Sequence, residues 1–310
     1  MQFSTRKTLA RNSAIIWSIA GLSLIFGGLF YMYVTSEHGD QIGYSTGSNV
    51  TSQPQFRYYT VEETRWLCGI FCAFSCIAVI IQCFYPTREV DGSVSSENPH
   101  AKLSLRDQVL ATGSVLIHPR VLVFLPRWIA HGLFVSFYMN IYPTTLQYST
   151  VLASKYPMLT AYYAFAMCAG STVCGFLIAP LNRRFQDFGL RPIYYLTIGV
   201  QLLTYLVAAL TTPNWSTAHP TTEGAVVEPE IGWVCLVAFL LGFADTTNTA
   251  SNTVICSRLI HGRASHSYSA ARFYFGIAAS VIFFMSPMLS MRAHALILMS
   301  PTPARAVSAA

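Results

Sequence analysis

Seven long apolar stretches restrict the fold of this chain more than any other feature. They cover approximately residues 13–35, 66–86, 119–146, 158–181, 193–212, 231–257 and 267–291. A helix needs roughly 20 apolar residues to cross a hydrocarbon core about 30 Å thick. Strands of membrane barrels alternate over about 10 residues, and these continuous stretches do not follow that pattern. The sequence therefore predicts an all-α, polytopic membrane protein with about seven transmembrane helices.

Composition supports a chain embedded in the lipid bilayer. Hydrophobic residues make up 53% and charged residues 10% of the sequence, whereas soluble domains carry about 25% charged residues. The formal net charge of +6 is spread over many loops. That distribution indicates membrane orientation, so the bilayer is an expected partner and nucleic acid is not.

The basic residues fall on alternate loops. One side carries twelve of them: Arg6, Lys7, Arg11, Arg88, Lys102, Arg106, Arg120, Arg183, Arg184, Arg191, Arg258 and Arg263. The opposite side carries four: Arg57, Arg65, Lys155 and Arg292. Because basic loops stay in the cytosol, the count predicts a cytosolic N-terminus in a plasma membrane or endomembrane protein. Two glycosylation motifs, at Asn49 and Asn214, both fall on the opposite side, where glycan is added.

The long polar break after the second apolar stretch divides the chain. Residues 87–101 are polar, and residues 102–118 show apolar positions at seven-residue spacing. Such a pattern is typical of a helix at the membrane interface. We therefore expect three parts: residues 1–86 with two helices, a cytosolic linker at 87–118, and residues 119–310 with five helices.

Ionisable residues deep in a membrane helix indicate a functional or pairing role, because they are costly in hydrocarbon. Asp245 is the one acid that we place within an apolar stretch, and Asn248, Thr249 and Asn252 follow it along a polar helix face. Arg272 lies at a depth from which it can reach Asp245. We expect an Asp245–Arg272 pair, which either clamps two helices together or contributes to a solute or ion path.

Arg127 and His131 form a second intramembrane pair of polar residues, one turn apart and directly after Pro126. A proline in a helix frees a carbonyl of the previous turn, which offers these side chains a local partner. The alternative for Arg127 is that its long side chain extends to the cytosolic headgroups. His131 is expected to be a hydrogen-bonded core histidine more than a proton relay.

The sequence contains no pattern for catalysis or for a bound metal. Cys68, Cys72, Cys76 and Cys83 share one stripe of the second helix, which favours packing over a thiolate site because no histidine or carboxylate joins them. Motifs for hydrolysis, phosphate binding or paired metal ligands are not found. We therefore expect neither an enzyme nor a cofactor.

Five segments together resemble one family of membrane proteins. They are Arg11-Asn12-Ser13 with Trp17, Tyr142-Pro143-Thr144-Thr145, Asn182-Arg183-Arg184-Phe185 with Phe188-Gly189-Leu190-Arg191-Pro192, Leu241-Gly242-Phe243-Ala244-Asp245, and Ser269-Ala270-Ala271-Arg272-Phe273 with Phe284 and Ser286. In order and spacing they resemble the Unc-ninety-three-like branch of the major facilitator superfamily. The resemblance covers most of residues 5–291.

This resemblance implies that the seven stretches are similar to helices five to eleven of twelve. Residues 1–86 then correspond to the last two helices of an N-terminal bundle, and residues 119–310 to a C-terminal bundle whose last helix is incomplete. Arg183, Arg184 and Arg191 correspond to a basic cytosolic loop of the family. The chain is thus expected to be a fragment. It departs from the family at Ala244 and Thr249, where glycine and asparagine are usual.

The resemblance implies a transporter-like protein that regulates or escorts other membrane proteins, such as a channel or receptor. The alternative is a secondary transporter of a small solute or ion that uses Asp245, Asn252, Arg272 and Arg127. A seven-helix receptor is a third class. We disfavour it because such receptors place the N-terminus outside, against the charge count.

Overall fold

The computed structural model describes residues 9–37, 61–84, 104–184, 191–260 and 262–300. These residues are mainly helical, and the helices are α1 (Leu9–Glu37), α2 (Val61–Cys83), α3 (Leu105–Leu116), α4 (Pro119–Ser136), α5 (Tyr142–Tyr148), α6 (Thr150–Lys155), α7 (Leu159–Arg184), α8 (Arg191–Thr211), α9 (Ile231–Leu259), α10 (Ala264–Met285) and α11 (Met291–Met299). A π-helix, Phe137–Ile141, joins α4 to α5, and a 3-10 turn, Ser286–Met288, follows α10.

Within the described ranges, seven helical segments are long and apolar enough to cross a bilayer. They are formed by α1, α2, the continuous α4–π–α5 segment, α7, α8, α9 and α10. Each overlaps one of the seven apolar stretches, so the predicted all-α polytopic fold is confirmed. The agreement follows from length, because a helix satisfies all of its own backbone hydrogen bonds in lipid.

Helix α9 lies at the centre of the bundle, where it packs against α1, α4, α7, α8 and α10. Glycines let α9 approach α7 very closely. A Cβ on Gly242 would collide with the backbone of Met167, and a Cβ on Gly170 would collide with the backbone of Phe239. Small residues at such positions allow membrane helices to pack backbone to backbone.

The close approach between α4 and α10 depends on a glycine of α4. Gly276 of α10 does not take part, because a Cβ built there has no neighbour within 4 Å among the described residues. Instead Gly132 of α4 faces α10, where a Cβ would meet the carbonyl oxygen of Phe275. Spacing alone cannot distinguish a glycine in a helix interface from one on an open face.

Helix α2 lies at the edge of the described bundle, against α1. The Phe30 and Phe71 rings meet edge to face at 6.1 Å, and no residue of the apolar part of α2 is buried. Cys68, Cys72 and Cys76 are exposed along it, as is Cys83. In the described part of the chain, no group of His, Cys, Asp and Glu could hold a metal ion.

Helix α3 lies in the region that was expected to hold an interfacial helix. Ser104 caps it by accepting a hydrogen bond from the Asp107 N–H, as is usual for serine before a first turn. The Tyr274 hydroxyl of α10 donates to the Leu116 carbonyl at 3.0 Å, which attaches α3 to the bundle. The position of α3 at the interface and the three-part division of the chain remain predictions. Residues 85–103 lie outside the described residues.

Candidate functional site

The candidate site is a continuous polar surface on the second half of α9. Thr246, Thr247, Asn248 and Thr249 are buried, as are the next four residues, 250–253. Neighbouring helices form hydrogen bonds with this surface. The hydroxyl oxygens of Ser171 on α7 and Thr246 on α9 lie 2.6 Å apart. A membrane helix that buries so many polar side chains must direct them into the bundle rather than into lipid.

Arg127 of α4 inserts into this polar surface. Its Nε donates to Asn252 Oδ1 at 3.0 Å, and one terminal nitrogen donates to Ser251 Oγ. Its guanidinium carbon lies 4.5 Å from the centre of the Tyr194 ring of α8, a cation–π distance. The structure therefore supports neither the headgroup contact nor the local carbonyl contact that was expected for Arg127. The side chain is buried instead of reaching the headgroups, and its partners lie on α9 instead of on the carbonyl freed by Pro126.

His131 is oriented by the same asparagine. Because Arg127 Nε can only donate, Asn252 must turn its oxygen toward Arg127 and its amide nitrogen toward His131. That nitrogen lies 2.6 Å from His131 Nδ1, so Nδ1 accepts and the ring proton sits on Nε2. His131 Nε2 is buried and has no hydrogen-bond partner among the described residues. The histidine is thus a core residue in which Nδ1 is hydrogen-bonded and Nε2 is not, among the described residues.

Arg272 of α10 does not form the expected ion pair with Asp245. Its Nη2 and Nε donate to the Tyr268 hydroxyl at 2.7 and 3.1 Å, and its guanidinium carbon lies 5.2 Å from the centre of the Phe275 ring. Tyr268 stands one turn earlier on the same helix, within direct reach of the Arg272 side chain. Arg272 still interacts with Asp245 electrostatically, at longer range.

Asp245 has a tyrosine as its partner. The Tyr138 hydroxyl donates to Asp245 Oδ1 at 3.2 Å, and the Tyr163 hydroxyl donates to the Tyr138 carbonyl at 2.6 Å. Tyr138 belongs to the π-helix that precedes Pro143, where the Tyr142 N–H reaches back five residues to the Phe137 carbonyl. Such single π turns re-aim side chains and occur often at functional sites.

A small cavity of about 10 Å³ lies between α4, α9 and α10. That volume accommodates about one water molecule. The residues that line it are Trp128, His131, Thr249, Asn252, Tyr268, Ala271, Arg272 and Phe275. The cavity thus collects Arg272, His131, Thr249 and Asn252 from the sequence-predicted set, while Asp245 lies elsewhere with Tyr138.

The other predicted site residues do not join this cluster. Asn248 is buried on α9, and its amide nitrogen has no partner among the described residues. Arg183 and Arg184 end α7, and Arg191 begins α8. The loop between them, and Asn49, lie outside the described residues. Asn214 lies in the α8–α9 connection, where its Oδ1 accepts the Arg292 N–H at 3.2 Å.

Sequence reasoning missed three aromatic residues of the site: Trp128, Tyr138 and Tyr194. Trp128 stacks on Tyr274 at 6.3 Å between ring centres, and its indole nitrogen is buried without a partner among the described residues. In an aromatic-rich membrane protein, each of these residues is expected simply to pack. For Trp128 the sequence did contain a signal of a place in the site, since this residue stands between Arg127 and His131 on a short helical segment.

The fold and the buried charges define a helical multi-pass membrane protein with a polar interior. The family model "Ion channel regulatory protein UNC-93" matches residues 1–304. The chain belongs to the UNC-93 family, which confirms the resemblance seen in the sequence.

A relative, "UNC93-like protein MFSD11" of Xenopus laevis, is 22% identical over 314 residues. The match covers 95% of this chain and 66% of the relative. This chain therefore spans slightly less than two thirds of that relative's length. No solved structure matches the chain.

Proposed function

We propose that this protein is an accessory subunit that regulates or escorts another membrane protein, such as an ion channel or receptor, without catalysis. The observation that carries the proposal is that protein side chains occupy the polar surface on α9. Arg127 fills this surface and bonds to Asn252 and Ser251. The cavity beside it has room for about one water molecule.

The family supports the same function. Its model is described as an ion channel regulatory protein, and regulation of a partner requires no solute path through the subunit. A secondary transporter of a small solute, which is the competing function, requires a midplane site where substrate and coupling ion bind. Asp245 would be the natural coupling residue of such a transporter.

The test is to remove the protein from cells that express it and to restore it as wild type or as Asp245→Asn. The amide oxygen of asparagine can still accept the Tyr138 hydroxyl, so the variant is expected to fold. An accessory subunit predicts reduced surface amounts and currents of particular channels or receptors, and rescue by both forms. Solute uptake that wild type restores and Asp245→Asn does not, with unchanged surface proteins, would establish the transporter instead.

A further inference from the structure

The geometry points to a binding site for one small monovalent anion, chloride in size and charge, in the cavity between α4, α9 and α10. An accessory role does not require a ligand there, so the site goes beyond the proposed function. Three observations support it: the hydrogen-bond donors around the cavity, the balance of charges deep within the spans, and the size of the cavity.

The cavity has donors that lack an acceptor. Trp128 and His131 both line it, and Trp128 Nε1 and His131 Nε2 are buried without a partner among the described residues. An indole nitrogen can only donate. His131 Nε2 must also carry the proton, because Asn252 donates to the other ring nitrogen. Both groups therefore require an acceptor, and leaving each buried and unbonded is costly.

The charges in the interior of the bundle are not balanced. Arg127 and Arg272 carry two positive charges deep within their spans, and Asp245 carries one negative charge there. The two arginines donate to neutral groups: Arg127 to Asn252 and Ser251, and Arg272 to Tyr268. The three groups together leave one positive charge in a medium of low dielectric constant. One monovalent anion beside Arg272 balances it, which a water molecule in the same place cannot do.

The size of the cavity selects among anions. The cavity volume of about 10 Å³ is near the minimum for one small occupant. Chloride is slightly larger than water and fits with small side-chain adjustments. Sulfate, phosphate headgroups and sugar acids such as gluconate are too large.

The test uses the purified full chain and measures its thermal midpoint by fluorescence-detected size exclusion. Sodium chloride replaces sodium gluconate at constant ionic strength, and sodium bromide is tested in parallel. We expect a saturable rise of the midpoint with chloride and with bromide. Trp128→Phe retains the aromatic stack on Tyr274 but loses the donor, so the apparent chloride affinity should fall roughly tenfold or more. Arg272→Gln should abolish the chloride effect.

The matched control is Trp233→Phe, because Trp233 is exposed on α9 and does not line the cavity. Its chloride dependence should equal that of wild type. Equal midpoints in chloride and gluconate would mean that water fills the cavity and would overturn the proposal. If the thermal midpoints of Trp128→Phe and Trp233→Phe respond equally to chloride, chloride acts by general salt stabilisation, and the proposal is wrong. No partner protein is present in this assay, so its outcome is independent of the accessory function.

Discussion

Arg127 Nε and Asn252 Oδ1 lie 3.0 Å apart, and this hydrogen bond joins α4 to the centre of the bundle. The same asparagine donates to His131 Nδ1. One amide side chain therefore determines the orientation of a buried guanidinium and the tautomer of a buried imidazole. Asn252 is therefore the residue that connects Arg127 and His131 within the polar interior.

Replacement of Asn252 should destabilise the fold. Asn252→Ala leaves Arg127 Nε and His131 Nδ1 buried without partners, which we expect to lower the free energy of unfolding by about 1–3 kcal/mol. The measurement is the thermal midpoint and the monodisperse fraction after detergent extraction. Ser269→Ala is the control, because Ser269 is exposed and bonds only its own helix. Equal stability of the two variants would show that Arg127 does not depend on Asn252.

The hydrogen bond from Tyr138 to Asp245 should contribute less to the stability of the fold than the hydrogen bonds of Asn252 do. Tyr138→Phe removes a donor to a partly buried carboxylate, and we expect a loss of about 1–2 kcal/mol of stability. The exposed neighbour position, Tyr162→Phe, should be close to neutral. A double-mutant cycle with Asp245→Asn isolates the pair. Exact additivity of the two substitutions would contradict a contact between these side chains.

The sequence was sufficient to predict the helices and the polar surface of α9, but not the contacts made there. The presence of the helices follows from the length of the apolar stretches. Asn248, Thr249 and Asn252 are recognisable because they are polar residues within an apolar stretch. The Arg127–Asn252 bond joins residues 125 positions apart. Its register depends on how α4 packs against its neighbours, including the close contact of Gly132 with α10. That packing cannot be derived from either helix alone.

The expected Asp245–Arg272 ion pair illustrates the same limit. Depth in the membrane is readable from sequence position, so both side chains were correctly expected to lie within the spans. Rotation of a helix about its own axis is not readable in this way. Tyr138 of the π-helix before Pro143 donates to Asp245, and Tyr268 provides Arg272 with a partner on its own helix.

Substitution of Gly242 should prevent α7 and α9 from packing. In Gly242→Ala the new Cβ meets the Met167 backbone, which cannot move as a flexible side chain can. Overpacking of this kind typically costs about 1–3 kcal/mol and occasionally more. Gly276→Ala is the matched control, because no atom of the described residues lies within 4 Å of a Cβ at that position. That change should be neutral or stabilising by up to about 1 kcal/mol, as alanine favours a helix. If both variants are extracted in equal folded amounts, α7 and α9 are not in backbone contact.

The stability of the C-terminal region should depend on pH through His294, which lies on α11 beyond the last span. Burial lowers the pKa of the His294 imidazole, although its contact with the Ser290 carbonyl opposes this shift. Above the unfolded pKa of about 6.5, the ring is neutral in both states and stability is complete. Below that pH the unfolded state binds the proton more readily, so stability falls as the pH is lowered.

The measurement is the thermal midpoint of wild type and His294→Asn between about pH 7.5 and pH 5.5, a range that spans the ordinary histidine pKa. Asparagine can place an amide nitrogen near the position of His294 Nδ1, 3.0 Å from the Ser290 carbonyl, but does not titrate. The variant should lose less stability on acidification than wild type. Parallel pH profiles would mean that other groups cause the dependence.

The orientation of the chain is tested by its two glycosylation motifs. A cytosolic N-terminus places Asn49 and Asn214 on the lumenal or outer side, so the expressed protein should shift in mobility when glycan is removed by glycosidase. Asn49→Gln should remove most of that shift. Asn214 contributes less, since its side chain already bonds the Arg292 backbone and the Ser216 of its motif is buried. A protein whose mobility is unchanged by glycosidase, and which is labelled at Arg184→Cys by impermeant thiol reagents on intact cells, would have the opposite orientation.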